Sequence, residues 1–194
     1  MARTEEPKRN SRTRRDIKQA MLKLLAHKSR DEITMSELAR EAQVSRSTLY
    51  QHYGNVYDAY ADIVNGFADE VTPVMSEAAC FDGIEPEGTV PFCNLVRAEK
   101  YRSITDTPCF LETYMGTFER IGNHEFLKIL TNAGYSPEVA EAVAVFQMNG
   151  CFKAVKRYGN DEETWREVRD AIDTFICGGL EACRQKKLHQ KSGK

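Results

Sequence analysis

The stretch TMSELAREAQVSRSTLYQHYGNVYDAY, from Thr34 to Tyr60, determines the fold that we predict for this chain. Thr34 lies three residues before Glu37, the spacing of a capping box, in which a hydroxyl and a carboxylate satisfy unpaired N–H groups at the start of a helix. Apolar residues at helical spacing follow. Ser45 then repeats the start signal after a turn near Gln43. The stretch therefore predicts two short helices joined by a tight turn.

The second of these helices, from Ser45 to Tyr53, is polar over most of its surface, and Leu49 and Tyr53 are expected to face inward. Side chains of these polar types bind base edges and phosphates, and a helix N-terminus offers backbone N–H groups to a phosphate. We therefore interpret the stretch as a helix-turn-helix whose second helix is the recognition helix. The candidate DNA-binding residues here are Thr34, Ser45, Arg46, Ser47, Thr48, Tyr50, Gln51 and His52.

Positive charge is concentrated at the same end of the chain. Residues 1–54 hold 12 Lys and Arg against 7 Asp and Glu, a net charge of +5, whereas the remaining residues carry −7. This asymmetry is typical of a protein of which one end meets a polyanion. After a disordered arm at residues 1–10, Ser11 or Thr13 is expected to cap the first helix. Cations at a helix start are unfavourable and invite an outside anion, so Arg12, Arg14 and Arg15 join the DNA-binding candidates, with a solvated basic tail as the alternative.

The segment from about Ser11 to Ile63 resembles the DNA-binding domain of TetR-family repressors. In that family a Thr opens the second helix, an apolar residue and an Ala lie inside it, Val-Ser follows the turn, and Thr-(Leu or Phe)-Tyr-x-His-(Phe or Tyr) fills the third helix. The matching positions here are Thr34, Leu38-Ala39, Val44-Ser45 and Thr48-Leu49-Tyr50-Gln51-His52-Tyr53.

Two positions depart from the pattern of that family. Gln43 stands where the turn usually has Gly, which predicts a backbone conformation less easy for a residue with a side chain. Val56 replaces a Lys that in many members contacts a phosphate at the start of the fourth helix.

We predict an all-α fold of about nine helices, because no strand pattern is present. Residues 1–54 form the arm and a three-helix DNA-binding domain, and residues 55–194 form a larger helical regulatory and dimerisation domain. A linking helix at 55–72, capped by Asn55 and ended by Pro73, connects them. Further helices are predicted at about 92–103, from Thr107 and Pro108, from His124 to Gly134, from Ser136 to Gly159, and from Asn160 or Asp161 to Cys183.

The last two helices are apolar on more than one face and carry interior glycines, each of which costs about 0.5 to 1 kcal/mol relative to Ala. A helix that is apolar on two sides needs two partners. The resemblance implies what the second partner is, since in the TetR family the last two helices pair with those of a second subunit in a four-helix bundle. The candidate homodimer interface comprises Val143, Phe146, Gly150, Ala154, Ile172, Phe175, Ile176 and Gly179.

The same resemblance implies a small-molecule ligand in the C-terminal domain, of an identity that the sequence does not give. Residues suited to line a largely apolar pocket are equally compatible with a plain helical core. They are Phe92, Tyr101, Phe110, Tyr114, Met115, Phe118, Phe126 and Met148.

Several function classes are disfavoured. The six cysteines are irregularly spaced and have no His beside them, so no metal site and no cofactor is predicted. Neither a signal peptide nor an apolar run long enough for a membrane span is present, so we expect a cytoplasmic protein with reduced thiols and no membrane partner. No catalytic motif is found either, and no catalytic residue is predicted.

These observations predict a transcriptional regulator, a repressor, that binds double-stranded operator DNA as a homodimer and is released by a small molecule. Two alternatives stay open. One is a DNA-binding regulator controlled by a protein partner, and the other is an all-helical enzyme that has kept a degenerate motif. Sequence-selective DNA binding would distinguish both regulators from the enzyme. A small molecule that releases the DNA would distinguish the ligand-released repressor from the regulator controlled by a protein partner.

Overall fold

A computed structural model describes residues 6–76, 87–121 and 125–192, with side chains described for 10–75, 87–117, 127–183 and 185. Within these residues lie ten α-helices, two 3₁₀ turns and one parallel pair of two-residue strands, β1 (Met75–Ser76) and β2 (Val90–Pro91). The predicted all-α class is confirmed, and the strands are too short to have a recognisable sequence period.

The helices follow one another along the whole described chain. They are α1 (Glu6–Leu25), α2 (Met35–Glu41), α3 (Arg46–His52), α4 (Val56–Val71), α5 (Phe92–Arg97), α6 (Arg102–Thr105), α7 (Phe110–Ile121), α8 (Glu125–Asn132), α9 (Pro137–Tyr158) and α10 (Glu162–Ser192). The 3₁₀ turns are at Arg30–Glu32 and Glu99–Tyr101.

The chain divides into two compact units. The first comprises the residues up to Asp69 together with Ser103–Tyr114, and the second comprises Glu70–Arg102 and the residues from Met115 onward. Helices α4 and α7 therefore each begin in the first unit and end in the second. The functional division predicted at residues 54 and 55 stays a prediction.

Side-chain caps begin five of the helices where the sequence predicts them. Thr34 Oγ1 accepts from the backbone N–H of Glu37 at 3.2 Å, and the Glu37 carboxylate accepts from the backbone N–H of Thr34 at 3.1 Å, which completes the capping box of α2. A side-chain oxygen likewise accepts from the N–H three residues further on at the starts of α3, α4, α9 and α10, from Ser45, Asn55, Ser136 and Asp161.

The core of the first unit contains the helix-turn-helix and the beginning of α7. Leu38 of α2 and Leu49 of α3 are fully buried. Phe67 of α4 makes edge-to-face contacts with Phe110 and Tyr114 of α7, at ring-centroid distances of 5.2 and 5.8 Å. Such aromatic contacts add to the burial of apolar area, so the first turns of α7 are part of the core that supports the helix-turn-helix.

Two small cores lie among the described residues of the second unit. One joins α8, α9 and α10 through Leu130, Ala140, Ala144 and Leu180. The other joins α5, α9 and α10 through Val96, Val155 and Trp165. Both cores hold α9 against α10, which is the pairing expected of long neighbouring helices with apolar stripes.

The first helix begins earlier than predicted, so the expectation of a disordered arm was wrong for residues 6–10. Helix α1 starts at Glu6, and Pro7 lies in its first turn, where a proline removes an N–H that has no helical acceptor. Arg12, Arg14 and Arg15 consequently lie in the second and third turns. The argument from the helix dipole therefore does not apply to them, because that effect falls off within the first turn.

Other boundaries also differ. The predicted helix at 92–103 is interrupted at Ala98, whose backbone is extended (φ −61°, ψ 130°). Next to this break, Arg97 Nε donates to the carbonyl of Gly159 at 2.7 Å, a long-range contact that sequence periodicity does not encode. Helix α7 begins at Phe110 rather than at Pro108, and α10 continues past Cys183 to Ser192.

Acid should weaken the capping box of α2. Hydrogen bonds from Lys28 and then from Thr34 lower the pKa of Glu37 from 4.5 to about 2. A lowered pKa in the folded state stabilises the protein above the unfolded-state value and loses that effect as the pH falls towards 2. Glu37→Gln keeps the capping acceptor but not the charge. We expect it to lower the free energy of unfolding at pH 7 and to approach wild type as the pH falls below 4.5, as measured by urea unfolding across that range. A difference that stays constant with pH would contradict a role for the charge.

Candidate nucleic-acid interface

Burial divides α3 into two faces. Leu49 is fully buried, and Tyr53, the residue after the helix, is 4% exposed. The opposite face carries Arg46, Ser47, Tyr50 and Gln51, all exposed, and Tyr50 keeps half of its surface accessible. Thr48 and His52 are half-buried between the two faces. The seven-residue helix thus presents hydrogen-bonding side chains on the side that has no core to pack against.

A cluster of hydroxyls marks the start of α3. Ser45 Oγ accepts from the backbone N–H of Thr48 at 3.0 Å and lies 2.9 Å from Ser47 Oγ and 2.8 Å from Thr48 Oγ1. The cap fixes the first turn of the helix, so these three side chains have defined positions. The hydroxyl of Thr34, another candidate contact, is engaged in the capping box of α2.

The turn between α2 and α3 is held in a left-handed conformation by two backbone hydrogen bonds. Gln43 has a φ of +55°, as the departure from Gly at this position predicts. Its N–H donates to the carbonyl of Arg40 at 3.1 Å, and the N–H of Val44 donates to that of Ala39 at 3.0 Å. This is a Schellman motif, and such motifs usually have Gly at the left-handed position. The motif sets the direction in which the chain leaves α2 and enters α3.

One carboxylate on α4 joins α1 to the residue that follows α3. Asp62 Oδ2, on α4, accepts from the hydroxyl of Tyr53 at 2.6 Å and lies 2.9 Å from Lys18 Nζ and 3.3 Å from Arg14 Nη2, both on α1. Lys18 Nζ also donates to the backbone carbonyl of Asp62 at 3.2 Å. The guanidinium of Arg14 lies over the ring of Tyr53, 5.8 Å from its centroid. We call Asp62, Tyr53, Lys18 and Arg14 the Asp62 cluster.

The protonation of the Asp62 cluster follows from these contacts. Burial acts to raise the pKa of Asp62, but the hydrogen bonds from Tyr53 and Lys18 and the charges of Lys18 and Arg14 outweigh it and hold the pKa below its ordinary value. Burial, followed by the hydrogen bond to Asp62, raises the pKa of Tyr53 to about 12. At neutral pH the tyrosine is therefore a hydrogen-bond donor and the aspartate an ionised acceptor.

The candidate cations of α1 differ in their engagement. Arg14 is paired with Asp62, and Arg12 lies 3.9 Å from Asp16 with most of its side chain in solvent, a contact of little strength. Arg15 is exposed and has no ion pair within the described residues. A cleft of about 550 Å³ on this surface is lined by Asn10, Ser11, Arg14, Arg15, Lys18 and Asp62. Positive charge thus remains available beside the end of α3.

Val56, at the first position of α4, is 7% exposed. Its side chain belongs to the core and presents no donor to a phosphate, so the side-chain contact made by Lys in many TetR-family members is missing at this position. Any side-chain contact to a phosphate from this part of the molecule has to come from other residues.

Seven of the eight predicted dimer-interface residues line one apolar groove of about 350 Å³ in the second unit. Phe146 and Phe175 are 70% and 73% exposed, an unusual exposure for phenylalanine. The other five are Val143, Gly150, Ile172, Ile176 and Gly179. The eighth, Ala154, packs instead against the core that contains Trp165.

The predicted pocket residues are divided between the two units. Phe110 and Tyr114 are buried in the first unit, whereas Phe92, Tyr101, Met115 and Met148 belong to the second. Tyr101 is buried there, and its hydroxyl donates to Glu70 at 2.9 Å. The side chains of Phe118 and Phe126 lie outside the described residues. The ligand pocket stays a prediction.

The sequence did not identify Asp62, Lys18 and Tyr53 as residues acting together. Lys18 lies four residues after Arg14, so the placing of two cations on one face of α1 was a usable signal. The partner was not readable, because nothing in the local pattern of α4 indicates which of its carboxylates faces α1.

Two of the described cysteines, Cys93 and Cys151, have thiol pKa values above the ordinary one. Burial raises the pKa of Cys93, and burial followed by the neighbouring Cys93 raises that of Cys151 to about 11. The thiolate is the reactive form, so these environments oppose reactivity. Cys80 lies outside the described residues. Among those described, no group of three His, Cys, Asp or Glu residues is placed to hold a metal ion, and no helix has the length and apolarity to cross a membrane.

Comparison with known proteins identifies the segment that contains α2 and α3. Residues 17–56 match the family described as "Bacterial regulatory proteins, tetR family". No match was found among curated proteins. Among solved structures, the chain is similar to the "Crystal structure of TetR from Acinetobacter baumannii AYE", at 16% identity and a TM-score of 0.40 over 90% of this chain and 95% of that one. The matched segment begins in α1 and ends at the first residue of α4.

The strained turn at Gln43 predicts a gain in stability. We expect Gln43→Gly to raise the free energy of unfolding by about 0.5 to 1 kcal/mol, since relief of about 1 to 2 kcal/mol of left-handed strain exceeds about 0.5 to 1 kcal/mol of added backbone entropy. Urea unfolding measures the change. Ser36→Gly, at an exposed helical position of α2, is the control and should lower stability. If both variants lose stability equally, the turn carries no strain.

Proposed function

We propose that this chain, whose residues 17–56 match the family of bacterial tetR-family regulatory proteins, represses transcription by binding operator DNA as a homodimer and is released by a small molecule. The observation that carries the proposal is the division of α3 into a buried face and an exposed polar face. Leu49 and Tyr53 hold the helix, and Arg46 and Gln51 extend from the surface.

The chemistry of the exposed face fits a major groove. Arg pairs bidentately with guanine, and Gln does so with adenine, while serine, threonine and tyrosine hydroxyls and histidine N–H groups bind phosphates or base edges. An α-helix fits the width of the groove, and its first turns make most base contacts. Arg46 and Ser47, in the first turn of α3, are therefore the residues placed to read bases together with Gln51, and Tyr50 is placed to contact the backbone.

A second copy of the chain is the partner proposed for the apolar groove of the second unit. The two exposed phenylalanines and the groove between α9 and α10 form an apolar surface of a kind that soluble monomers rarely leave uncovered. The glycines support the same proposal, because a Cβ added at Gly150, Gly178 or Gly179 would have no described atom within 4 Å beyond its chain neighbours and the adjacent backbone of its own helix. Their cost in helix stability is thus not explained by packing within the chain, and a close approach of another helix would explain it.

A dimer also sets the distance between the two DNA-binding domains. Two recognition helices read half-sites about 34 to 36 Å apart, or multiples of that distance, when they enter successive major grooves on one side of the duplex. Release by a small molecule would follow from any ligand that favours a different distance between the DNA-binding domains, since about 1.4 kcal/mol of coupling changes the affinity for DNA tenfold. Helix α4 is the proposed link, as it begins in the first unit and ends in the second.

Control by a protein partner instead of a small molecule is the second reading. A thermal-shift screen of small molecules followed by DNA-binding assays with each hit distinguishes the two. A compound that stabilises the protein and weakens DNA binding supports the ligand, and hits that all leave DNA binding unchanged favour the protein partner.

Base recognition by α3 is tested with a duplex selected from random sequences by the wild-type protein. Arg46→Ala and Gln51→Ala should each lose about 1 to 3 kcal/mol of binding free energy on the selected duplex and relax base preference at one position, because a bidentate base contact is removed. Arg40→Ala and Gln19→Ala, exposed on α2 and α1, are the matched controls and should keep the preference. Equal weakening on every duplex would show that Arg46 and Gln51 only position the protein.

The homodimer is tested at the two exposed phenylalanines. Phe146→Glu and Phe175→Glu should give a helical monomer, because each new carboxylate is solvated in the separate chain and buried without a partner in the dimer. Light scattering at micromolar concentration gives the mass, and circular dichroism gives the helix content. Thr174→Glu, at the exposed neighbouring position, is the matched charge control and should remain dimeric. A monomeric wild type, or glutamate variants that still dimerise, would remove this interface.

A further inference from the structure

The Asp62 cluster fixes the end of the recognition helix to two other helices. Tyr53 directly follows α3, and its hydroxyl donates to Asp62 at 2.6 Å. Because the same carboxylate oxygen also pairs with Lys18 and Arg14, one atom of α4 connects α1 with the chain at the end of α3. The side chain of Asp62 is 26% exposed. The pairing is therefore partly shielded from solvent, and salt weakens shielded ion pairs less than exposed ones.

A constraint at this end of α3 controls where its exposed side chains lie. Ser45 holds the first turn, and Tyr53 holds the residue after the last turn. Between the two points lie seven residues, a length of about 10 Å. Hydrogen bonds to base edges tolerate only a few tenths of an ångström before they weaken, so a small tilt of α3 about its capped start would misplace the side chain of Gln51 in the last turn.

The identities of the groups indicate more than a stabilising contact. A Phe at position 53 would fill the same buried volume, so the hydroxyl is not needed for the apolar core. Asp62 also offsets part of the positive charge of Arg14 and Lys18 beside the recognition helix, whereas Arg15 stays exposed. A residue that only served affinity for a polyanion would not be an aspartate at this place, because its charge opposes the phosphate backbone.

We propose that Asp62 is a positioning residue for base recognition: from α4 it fixes the end of α3 through the hydroxyl of Tyr53, and it is itself held by Lys18 and Arg14 of α1. This inference rests on the proposed function, since it assumes that α3 reads bases. Asp62 does not touch the DNA in this scheme. Its removal lowers discrimination between sequences and leaves the general attraction to DNA in place.

The test compares four variants of the full chain on two duplexes, one selected from random sequences by the wild-type protein and one with the same bases scrambled. Tyr53→Phe removes the hydroxyl alone. Asp62→Ala removes the acceptor and the charge, and Asp62→Asn restores an acceptor oxygen without the charge. Asp69→Ala removes one exposed carboxylate from the same helix and is the control for charge. Circular dichroism at the assay temperature selects the folded variants, and Tyr53→Phe, which keeps the buried ring, decides the outcome if an Asp62 variant unfolds.

The measured quantity is the ratio of affinities for the selected and the scrambled duplex. We expect Tyr53→Phe and Asp62→Ala to lower this ratio about tenfold, since groups in one hydrogen-bond network are coupled by energies of that size. Asp62→Asn should recover part of the loss. The two alanine variants should bind the scrambled duplex equally, somewhat more tightly than wild type, because each loses one negative charge.

Three results would overturn the proposal. One is a ratio within about twofold of wild type for folded Tyr53→Phe and Asp62→Ala, which would reduce the cluster to a stabilising contact. Another is an equal loss of affinity on both duplexes, which would make it a general DNA contact. The third is an equal fall of the ratio in Asp69→Ala. Failure of the wild-type protein to select any duplex is a different result, because it would contradict the proposed function itself.

Discussion

A helix of seven residues is too short to persist alone in water, so α3 depends on the interactions that hold it. Three interactions do this. Leu49 is fully buried, Ser45 caps the first turn, and the hydroxyl of Tyr53 is bound by Asp62. None of the three involves the opposite face of the helix. That face can therefore carry arginine, glutamine, serine and tyrosine at little cost in stability, and these side chains remain available to bind a partner.

Interactions that span three or four residues were predictable from the sequence. The capping box of Thr34 and Glu37, the caps at Ser45 and Ser136, and the inward direction of Leu49 follow from hydrogen bonds and helical periodicity within one or two turns. The substitution of Gln for Gly at position 43 also gave a correct expectation, since a positive φ belongs to the turn and not to the residue. The composition of the exposed face of α3 was readable for the same reason.

Interactions between distant residues were not predictable. The break at Ala98 lies beside the long-range hydrogen bond from Arg97 to Gly159, and the Asp62 cluster joins residues 44 positions apart in the chain. The start of α1 was placed too late because Ser11 is a good cap that the chain does not use as one. Residues 103–114 lie far from the motif in sequence but share its core, since Phe110 and Tyr114 pack against Phe67. Periodicity indicates that such residues are buried, but it does not identify their partners.

Whether the exposed face of α3 reads DNA sequence is measured by the binding of the wild-type protein to its selected duplex and to the scrambled duplex over a range of salt concentrations. Fluorescence anisotropy gives both affinities. We expect the selected duplex to bind about a thousandfold tighter or more, and the logarithm of each association constant to fall linearly with the logarithm of the salt concentration. Equal affinity for the two duplexes at every salt concentration would show that α3 does not read sequence.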